Sequence, residues 1–220
     1  MEPSSAALRQ ECASLGVALE PGQASRILAH LEELARWNQK HNLVGPGTLA
    51  DWTERHSLDS LAAARFLPSG SVGIDVGSGA GFPGIPLAIA RPDCQFTLVE
   101  PRMKRAAFLR SAIAKLDLKN VRVEGRIQLR SRLFDFALSR AVWPLGEWLS
   151  RAAPLIGDGG RAIAFLGRNP LPDERLAEEG ARNGLRLVET VQYKAGKQPA
   201  REVAVFEKAP AFHVEQSPVA

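Results

Sequence analysis

Hydrophobic and polar positions change their spacing near residue 70. From Ala24 to Asn42 apolar residues recur every three or four positions with charged residues between them, which predicts an amphipathic helix. A second helical pattern runs from Leu58 to Phe66. From residue 72 onward, short apolar runs alternate with helical segments instead. We therefore expect residues 1–70 to form an N-terminal helical cap on a different kind of domain.

The alternating region predicts a mostly parallel β-sheet. Strands are expected at 72–76, 95–100, 121–125, 134–139 and 160–166, and helices at 84–91, 102–116, 144–156 and 172–183. Such alternation is typical of βαβ units with helices on both faces of the sheet. The runs 185–193 and 202–207 are joined by a loop too short for a crossover helix, so they predict an antiparallel hairpin. An α/β domain over 71–208 is expected, with a frayed tail over 209–220.

Composition places the chain among ordinary globular proteins. Of its 220 residues, 45% are hydrophobic and 24% are charged, close to the average for folded domains. No apolar run reaches the roughly 18 residues of a membrane helix, and no apolar leader follows Met1, so we expect a cytoplasmic protein without a membrane partner. Cys12 and Cys94 are far apart and lack metal-ligand spacing, which argues against a disulfide framework or a metal site.

Positive charge is concentrated in one part of the chain. The net charge of +4 divides into −2 over 1–67, +6 over 68–140 and 0 over 141–220. The basic residues of the central stretch are Arg102, Lys104, Arg105, Arg110, Lys115, Lys119, Arg122, Arg126, Arg130 and Arg132. Either a solvated helix face or a phosphate-binding surface for a polyanion explains this concentration.

A glycine-rich loop follows the first predicted strand. The glycines at 77, 79, 81 and 84 let the backbone turn sharply and let a ligand lie directly on it, because no Cβ is in the way. Gly79-x-Gly81-x-x-Gly84 matches the dinucleotide-binding pattern, in which a pyrophosphate contacts a helix N-terminus. However, the first glycine after the strand is Gly77, and Pro83 interrupts the pattern. Two cofactor classes therefore fit.

Two acidic residues help to choose between these cofactors. A carboxylate at Asp75, beside the loop, would repel a pyrophosphate but suits the ammonium or sulfonium group of S-adenosylmethionine. Glu100 ends the second strand, where it could accept both ribose hydroxyls of either cofactor. The sequence thus favours S-adenosylmethionine, held by Asp75, Gly79 and Glu100, over a nicotinamide cofactor and an oxidoreductase activity.

The segment after the fourth predicted strand is expected to face the reacting centre, because ligands meet the carboxyl ends of parallel strands. It reads Ser139-Arg140-Ala141-Val142-Trp143 and lacks the Asn/Asp-Pro-Pro-aromatic pattern suited to an exocyclic amine. A ring nitrogen with a free lone pair, such as N7 of guanine, needs no base, and proximity to the methyl donor can drive the transfer. Arg140 and Ser139 are the candidate catalytic residues; a surface ion pair for Arg140 and a helix N-cap for Ser139 are the alternatives.

These residues resemble the bacterial RsmG (GidB) family of small-subunit ribosomal RNA guanine-N7 methyltransferases. The resemblance covers roughly 40–208 and is carried by Asn42-Leu43, Arg55-His56-Ser57-Leu58-Asp59-Ser60-Leu61, Asp75 to Pro86 (D-V-G-S-G-A-G-F-P-G-I-P), Lys104, Phe108-Leu109, Arg126 and Ser139-Arg140-Ala141. It implies a Rossmann-like S-adenosylmethionine-dependent methyltransferase fold. It also implies methyl transfer to N7 of a guanine in a loop of 16S ribosomal RNA.

The resemblance also implies particular site residues. Cofactor contacts are expected from Gly77, Phe82, Ile127, Gln128 and Arg140. The target is expected to be a loop base, because N7 in an A-form helix lies in a groove that side chains cannot enter. The partner would be 16S ribosomal RNA or the small ribosomal subunit.

The RNA contacts expected of this chain are basic. Arg55, His56, Arg126 and Arg201, with the rest of the basic stretch, are expected to contact phosphates that flank the target base. Trp143 is a candidate aromatic platform near the site.

Two positions depart from the family pattern. The family usually has Arg-x-Glu where this chain has Arg126-Ile127-Gln128, and it usually has Lys-Gly where this chain has Leu166-Gly167. A neutral amide can still form hydrogen bonds but brings no charge. Arg168 lies two residues further along and is a possible replacement for the missing lysine. These departures leave open a second hypothesis, a catalytically weakened RNA-binding or ribosome assembly factor.

Overall fold

One mixed sheet organises the chain in the computed structural model, which describes residues 3–128, 133–167 and 171–210. The strands in these ranges are β1 (Val72–Val76), β2 (Gln95–Val99), β3 (Val121–Glu124), β4 (Phe134–Ser139), β5 (Ile156–Leu166), β6 (Leu185–Tyr193) and β7 (Arg201–Lys208). Their order is β3-β2-β1-β4-β5-β7-β6. β1 to β5 pair in parallel, whereas β7 runs antiparallel to both β5 and β6. The predicted parallel sheet with a C-terminal antiparallel hairpin is confirmed.

The strand order reverses direction at β1, which has β2 on one side and β4 on the other. In open α/β sheets this point leaves a crevice at the carboxyl ends of the strands, and ligands bind there. The glycine-rich loop follows β1 directly and therefore lies at this crevice.

Helices cover both faces of the sheet. They are α1 (Ser5–Ser14), α2 (Pro21–His41), α3 (Leu49–Trp52), α4 (Asp59–Leu61), α5 (Gly84–Ala90), α6 (Met103–Lys115), α7 (Leu145–Ala152) and α8 (Asp173–Arg182), with a π-helix over Thr53–Leu58 and a 3₁₀ turn over Ala64–Phe66. The pattern predicted as one helix from Leu58 to Phe66 is thus divided into short pieces of different winding. α1 is not predicted by the periodicity of the sequence, because this helix buries only Leu8 and Cys12.

β5 begins four residues before the predicted strand because of a bulge. Phe134 pairs with Ile156, but Phe136 pairs with Arg161, so the intervening residues of β5 have no one-to-one partners on β4. This glycine-rich stretch contains Gly159 at φ 72°. Because this composition is typical of a turn, the start of the strand cannot be predicted from the sequence.

The N-terminal helices share a hydrophobic core with one face of the sheet. Leu31 of α2, Phe108 of α6 and Phe136 of β4 belong to the same buried cluster. Trp148 and Phe206 belong to a second cluster on the opposite face. Because the first cluster is continuous from α1 to β7, the N-terminal helices can contribute directly to the crevice. The division into domains at residue 70 stays a prediction, and residues 211–220 of the predicted tail lie outside the described residues.

Candidate active site

The loop between β1 and α5 exposes main chain to a cavity of about 390 Å³ at the carboxyl ends of the strands. Gly77 and Gly79 have φ angles of 79° and 56°, in the left-handed region that favours glycine. A Cβ added to Gly77 would lie 2.8 Å from Cγ2 of Val142, whereas one added to Gly79 would meet nothing closer than 3.7 Å. The loop therefore requires glycine at 77 for both conformation and space, and at 79 for conformation.

The first cavity is bordered by the ends of β1, β2 and β3. Its walls are formed by Val76, Gly77, Val99, Glu100, Pro101, Arg102, Arg105, Gly125, Arg126, Ile127, Val142, Trp143 and Arg151. The predicted cofactor residues Gly77, Glu100 and Ile127 thus all line this cavity. Gln128 is exposed and lies next to the cavity but does not line it. Arg126, predicted to contact RNA, lines the cavity as well.

Glu100 is a buried carboxylate with a fixed orientation. Its Oε2 accepts a hydrogen bond from the N–H of Gly79 at 3.0 Å, and its Oε1 accepts one from the N–H of Arg102 at 2.8 Å. Each carboxylate oxygen has a second lone pair, so both can accept further hydrogen bonds from ribose hydroxyls. With apolar Ile127 and Val142 on the same cavity walls, this arrangement fits the nucleoside part of S-adenosylmethionine.

Asp75 lies beneath the loop rather than on the cavity wall. Its side chain is completely buried, and Oδ2 accepts a hydrogen bond of 3.0 Å from the N–H of Gly84, the first residue of α5. Oδ1 is buried and has no hydrogen-bond partner among the described residues. Burial raises the pKa of Asp75 to about 7, although the hydrogen bond from Gly84 opposes this shift. A nearby cation would stabilise the ionised form of this buried carboxylate. The contact of Asp75 with the methionine part of the cofactor stays a prediction.

Phe82 joins the glycine loop to Arg140. The ring is buried and lies outside the walls of the first cavity; its centroid is 5.0 Å from the ring of His30 and 4.9 Å from the ring of His56. The guanidinium carbon of Arg140 lies 5.4 Å from the Phe82 ring centroid, at the distance of a cation–π contact. The predicted cofactor residues Phe82 and Arg140 therefore contact each other.

Arg140, directly after β4, is held by three acceptors from the segment 55–59. Its Nη1 donates to Oδ2 of Asp59 at 2.7 Å and to the carbonyl oxygen of Arg55 at 3.0 Å. Its Nη2 donates to Nδ1 of His56 at 3.1 Å. The side chain is only 14% exposed. This geometry excludes a simple surface ion pair and directs Arg140 inward, at the edge where the sequence predicts the reacting centre.

Asp59 is a functional candidate that the sequence analysis did not single out. It is buried, and its Oδ1 accepts hydrogen bonds from Nη1 of Arg201 at 3.0 Å and from the hydroxyl of Tyr193 at 2.5 Å. Asp59 stands within the motif that carries the family resemblance, but nothing in the sequence indicates its partners. Arg201 is predicted from the sequence as an RNA contact. Arg201 and Arg140 both bind the carboxylate of Asp59, so the two arginines are neighbours.

His56 is a neutral acceptor in this arrangement. Arginine has no acceptor atoms, so Nδ1 of His56 must accept the hydrogen bond from Arg140. Burial, followed by the charge of Arg140, lowers the pKa of His56 to about 4. A neutral ring brings no charge to a phosphate, so the predicted RNA contact of His56 would lack electrostatic attraction near neutral pH.

A second cavity of about 170 Å³ lies beyond β4. Its walls are formed by Ser139, Ala141, Val142, Trp143, Leu145, Trp148, Ala164, Phe165, Leu166 and Gly167. Val142 and Trp143 also line the first cavity, so the two cavities are neighbours. The hydroxyl of Ser139 is buried and has no hydrogen-bond partner among the described residues. Ser139 is not a helix N-cap, because α7 begins at Leu145.

Ala141 adopts a backbone conformation that is uncommon for a residue with a side chain. Its φ angle is 56°, in the left-handed region. It separates Arg140, which turns toward Asp59, from Val142 and Trp143, which line the first two cavities. Strained residues of this kind cluster at functional sites.

A third cavity of about 250 Å³ is rich in arginine. Its walls are formed by Arg55, His56, Asp59, Arg140, Ala141, Phe165, Leu166, Gly167 and Arg201. It shares Ala141 and Leu166 with the second cavity. Leu166, where the resemblance implies lysine, therefore borders both cavities. Arg168, the possible replacement, lies outside the described residues, as do Arg130 and Arg132.

Comparison with known proteins decides the family. The model of the GidB family, described as rRNA small subunit methyltransferase G, matches residues 23–205. The chain belongs to this family. It is 36% identical to ribosomal RNA small subunit methyltransferase G of Myxococcus xanthus over 204 residues, which cover 90% of this chain and 94% of that protein. It is 40% identical to the Nitrosococcus oceani protein of the same name over 159 residues, 71% of this chain and 74% of the relative.

Solved structures show the same fold in more distant proteins. Magnesium protoporphyrin IX methyltransferase from Synechocystis, solved with bound S-adenosylmethionine, has a TM-score of 0.59 and 17% sequence identity, covering 87% of this chain and 99% of that chain. A methyltransferase from Pyrococcus furiosus has a TM-score of 0.55 and 20% identity, covering 84% and 97%. At these identities the similarity concerns the fold, and it confirms the predicted methyltransferase fold.

Membership of the GidB family confirms the activity predicted from the sequence, S-adenosylmethionine-dependent methylation of ribosomal RNA. It favours neither a nicotinamide-dependent oxidoreductase nor a weakened assembly factor. Within the described part of the chain, no helix is long and apolar enough to cross a membrane. The same part contains no group of three or more His, Cys, Asp or Glu residues arranged to hold a metal ion.

Proposed function

We propose that this chain transfers the methyl group of S-adenosylmethionine to N7 of a guanine in a loop of 16S ribosomal RNA, and that the guanine enters the second cavity. One observation carries the proposal. The second cavity shares Val142 and Trp143 with the cofactor cavity, and its described walls contain aromatic rings and one unpaired hydroxyl but no charged side chain. Such a surface suits the flat faces and polar edge of a purine.

The reaction needs little from the protein beyond alignment. When bound, the cofactor supplies a methyl group on a positively charged sulfur, and N7 of guanine has a free lone pair to receive it. The protein's part is to desolvate the base, orient it and hold it near the methyl group. We assign the orientation of the base to the hydroxyl of Ser139, which can donate to or accept from its edge. Arg140 borders the neighbouring third cavity and is assigned to the phosphate of the same nucleotide.

Cofactor binding is divided among residues that line the first cavity and residues next to it. Glu100 is proposed to accept the ribose hydroxyls, and Ile127 and Gln128 to contact the adenine end. Gly77 and Gly79 are proposed to support the methionine part, with Asp75 near its positive charge. Gln128 can form hydrogen bonds there in place of the glutamate of the family pattern.

The RNA phosphates are assigned to the third cavity and its surroundings. Arg55, Arg140 and Arg201 line this cavity, and Asp59 is the one carboxylate among its described walls, so a net positive charge remains there for an anion. Asp51, which lies 4.0 Å from Arg55, is outside these walls. Arg126 and the exposed cations of α6 extend the positive surface past the first cavity. A loop is the preferred target, because its bases can leave the stack and present N7. The 16S molecule as substrate and a cytoplasmic location are parts of the same proposal.

Labelling with radioactive S-adenosylmethionine tests the proposed reaction. The protein is incubated separately with free 16S ribosomal RNA and with small ribosomal subunits, and the modified nucleoside is mapped by mass spectrometry of RNA fragments. The expected result is N7-methylguanosine at one loop position in at least one substrate. Absence of label in both, or methylation of another atom, would overturn the proposal.

Variants of two serines locate the acceptor site. Ser139→Ala is expected to lower kcat on the labelled substrate and to leave cofactor affinity unchanged, because Ser139 lines the second cavity and not the first. Ser25→Ala makes the same chemical change on the exposed surface of α2 and serves as the control. Equal activity of these two variants would remove Ser139 from the acceptor site.

A further inference from the structure

We propose that Asp59 is a positioning residue that fixes the guanidinium of Arg140 at the carboxyl end of β4, where the reacting centre is expected. We also propose that Tyr193 of β6 holds Asp59 in place. This inference rests on the proposed role of Arg140 toward the phosphate of the target nucleotide. One buried carboxylate receives Arg140 on Oδ2 at 2.7 Å and both Arg201 and Tyr193 on Oδ1, at 3.0 Å and 2.5 Å. The end of β4 and the C-terminal hairpin, in which Tyr193 pairs with Arg201, thus meet at the side chain of Asp59.

The remaining donors of Arg140 point to a ligand. A guanidinium has five N–H groups, and three of them are used by Asp59, His56 and the carbonyl of Arg55. Within the described residues, Nε–H and one N–H of Nη2 make no hydrogen bond. Because the group is planar, fixing three donors also fixes the direction of the other two. Arg140 therefore keeps two oriented donors that the described residues do not use, and it lines the third cavity together with Arg201.

The local winding of the chain brings the three acceptors together. The π-helix over Thr53–Leu58 runs directly into α4, which starts at Asp59. Along this segment the carbonyl of Arg55, the ring of His56 and the carboxylate of Asp59 all reach the same guanidinium. Single π-helical turns occur frequently at functional sites, and here the turn serves to surround one arginine.

Tyr193 connects this arrangement to the C-terminal hairpin. Its hydroxyl is buried, and burial together with the charge of Asp59 raises its pKa, so the phenol stays protonated and donates to Oδ1. The hairpin loop has a second attachment, because Oε2 of Glu54 accepts from the N–H of Lys197 at 3.2 Å and from Nε2 of Gln198 at 3.3 Å. Tyr193 and Arg201 of the hairpin both contact the carboxylate that holds Arg140, whereas the contacts of Glu54 do not involve Asp59.

A double-mutant cycle separates positioning from a purely structural role. Tyr193→Phe removes one hydrogen bond to a charged acceptor, and we expect about a tenfold loss of kcat/KM for RNA, with unchanged cofactor affinity in calorimetry. In an Arg140→Lys background the same substitution is expected to have no further effect, since the oriented guanidinium is already absent. Glu54→Gln, at the second attachment, is the control and is expected to leave RNA kinetics unchanged. Equal losses from Tyr193→Phe in both backgrounds, or an effect of Glu54→Gln as large as that of Tyr193→Phe, would overturn the inference.

A spectroscopic measurement keeps the inference testable even if the wild-type protein labels no RNA. In protein with ¹⁵N-labelled arginine, a guanidinium held by three acceptors gives resolved Nη–H signals with slow rotation, and Arg140→Lys assigns them. Tyr193→Phe and Asp59→Asn are expected to broaden or remove the Arg140 signals. If those signals are unchanged in folded Tyr193→Phe protein, Asp59 is not held by Tyr193, whatever the RNA substrate is.

Discussion

The ring of His30, on α2, donates a hydrogen bond from Nε2 to the carbonyl oxygen of Ala80 at 3.0 Å. The ring is completely buried, packs against Phe82 and Phe108, and leaves Nδ1 without a partner among the described residues. Ala80 lies in the glycine loop between Gly79 and Gly81. An N-terminal helix therefore holds the cofactor loop through one neutral imidazole, which makes the loop sensitive to protonation of that ring.

Acid is expected to destabilise the protein through His30. Burial lowers the pKa of His30 to about 4, whereas an unfolded histidine titrates near 6.5. Between these values unfolding takes up a proton, so the free energy of unfolding falls as pH decreases from about 6.5 to about 4. His30→Asn is expected to show a shallower pH dependence in urea titrations, by up to about 1.4 kcal/mol per pH unit. His56 acts in the same direction and Asp75 in the opposite one, but both are present in both proteins. Parallel pH curves for the two proteins would contradict this assignment.

Alanine substitutions at two glycines of the cofactor loop are expected to lower S-adenosylmethionine affinity to different extents. Gly77→Ala combines a left-handed φ with a contact of 2.8 Å to Val142, whereas Gly79→Ala has the unfavourable φ alone. A left-handed conformation costs a residue with a side chain about 1–2 kcal/mol. We expect Gly77→Ala to lower S-adenosylmethionine affinity more than Gly79→Ala, as measured by calorimetry. Adding Val142→Ala to Gly77→Ala should restore part of the affinity, and no restoration would mean that the contact with Val142 is unimportant.

The sequence predicted the sheet and the cofactor loop well because both depend on local patterns. β1, β4 and β6 begin and end at the predicted residues, and Gly77, Glu100 and Ile127 all line the first cavity. Apolar runs and glycine spacing are visible within a few residues of the chain. Such signals are enough to locate a nucleotide-binding crevice beside β1, where the strand order reverses.

The contacts that hold Arg140 and the cofactor loop in place could not be predicted from local sequence patterns. Tyr193 and Asp59 are 134 residues apart, and His30 and Ala80 are 50 apart. Pairs of this kind form only when separate elements pack, and a single sequence has no periodicity that records them. The same limit applies to Arg140, whose inward direction depends on acceptors from the π-helix and not on its own neighbours.

Cofactor binding is expected to release a proton from Asp75. Because burial raises its pKa to about 7, a fraction of the molecules carries a protonated Asp75 at neutral pH. A cation near the unpaired Oδ1 favours the ionised form and lowers the pKa. S-adenosylmethionine affinity should therefore rise as pH increases through about 7, and calorimetry in buffers with different ionisation enthalpies should detect the released proton. Asp75→Asn keeps an acceptor for the N–H of Gly84 and should abolish the release. Equal proton release from the Asn variant would assign it to another group.

Arg126 provides a test of where the RNA lies. It was predicted to contact RNA, yet it lies on the wall of the cofactor cavity and is exposed at its rim. If it contacts one phosphate of single-stranded RNA, Arg126→Ala should weaken RNA binding and reduce the slope of log affinity against log salt by about 0.7.

Arg175→Ala, at an exposed ion pair with Glu178 on α8, is the control and should leave the slope unchanged. Filter binding between low and moderate salt, with calorimetry of S-adenosylmethionine on the same variants, measures both effects. A loss of cofactor affinity with an unchanged salt slope would assign Arg126 to the cofactor and move the RNA path toward Arg55 and Arg201, because those arginines border the third cavity and not the first.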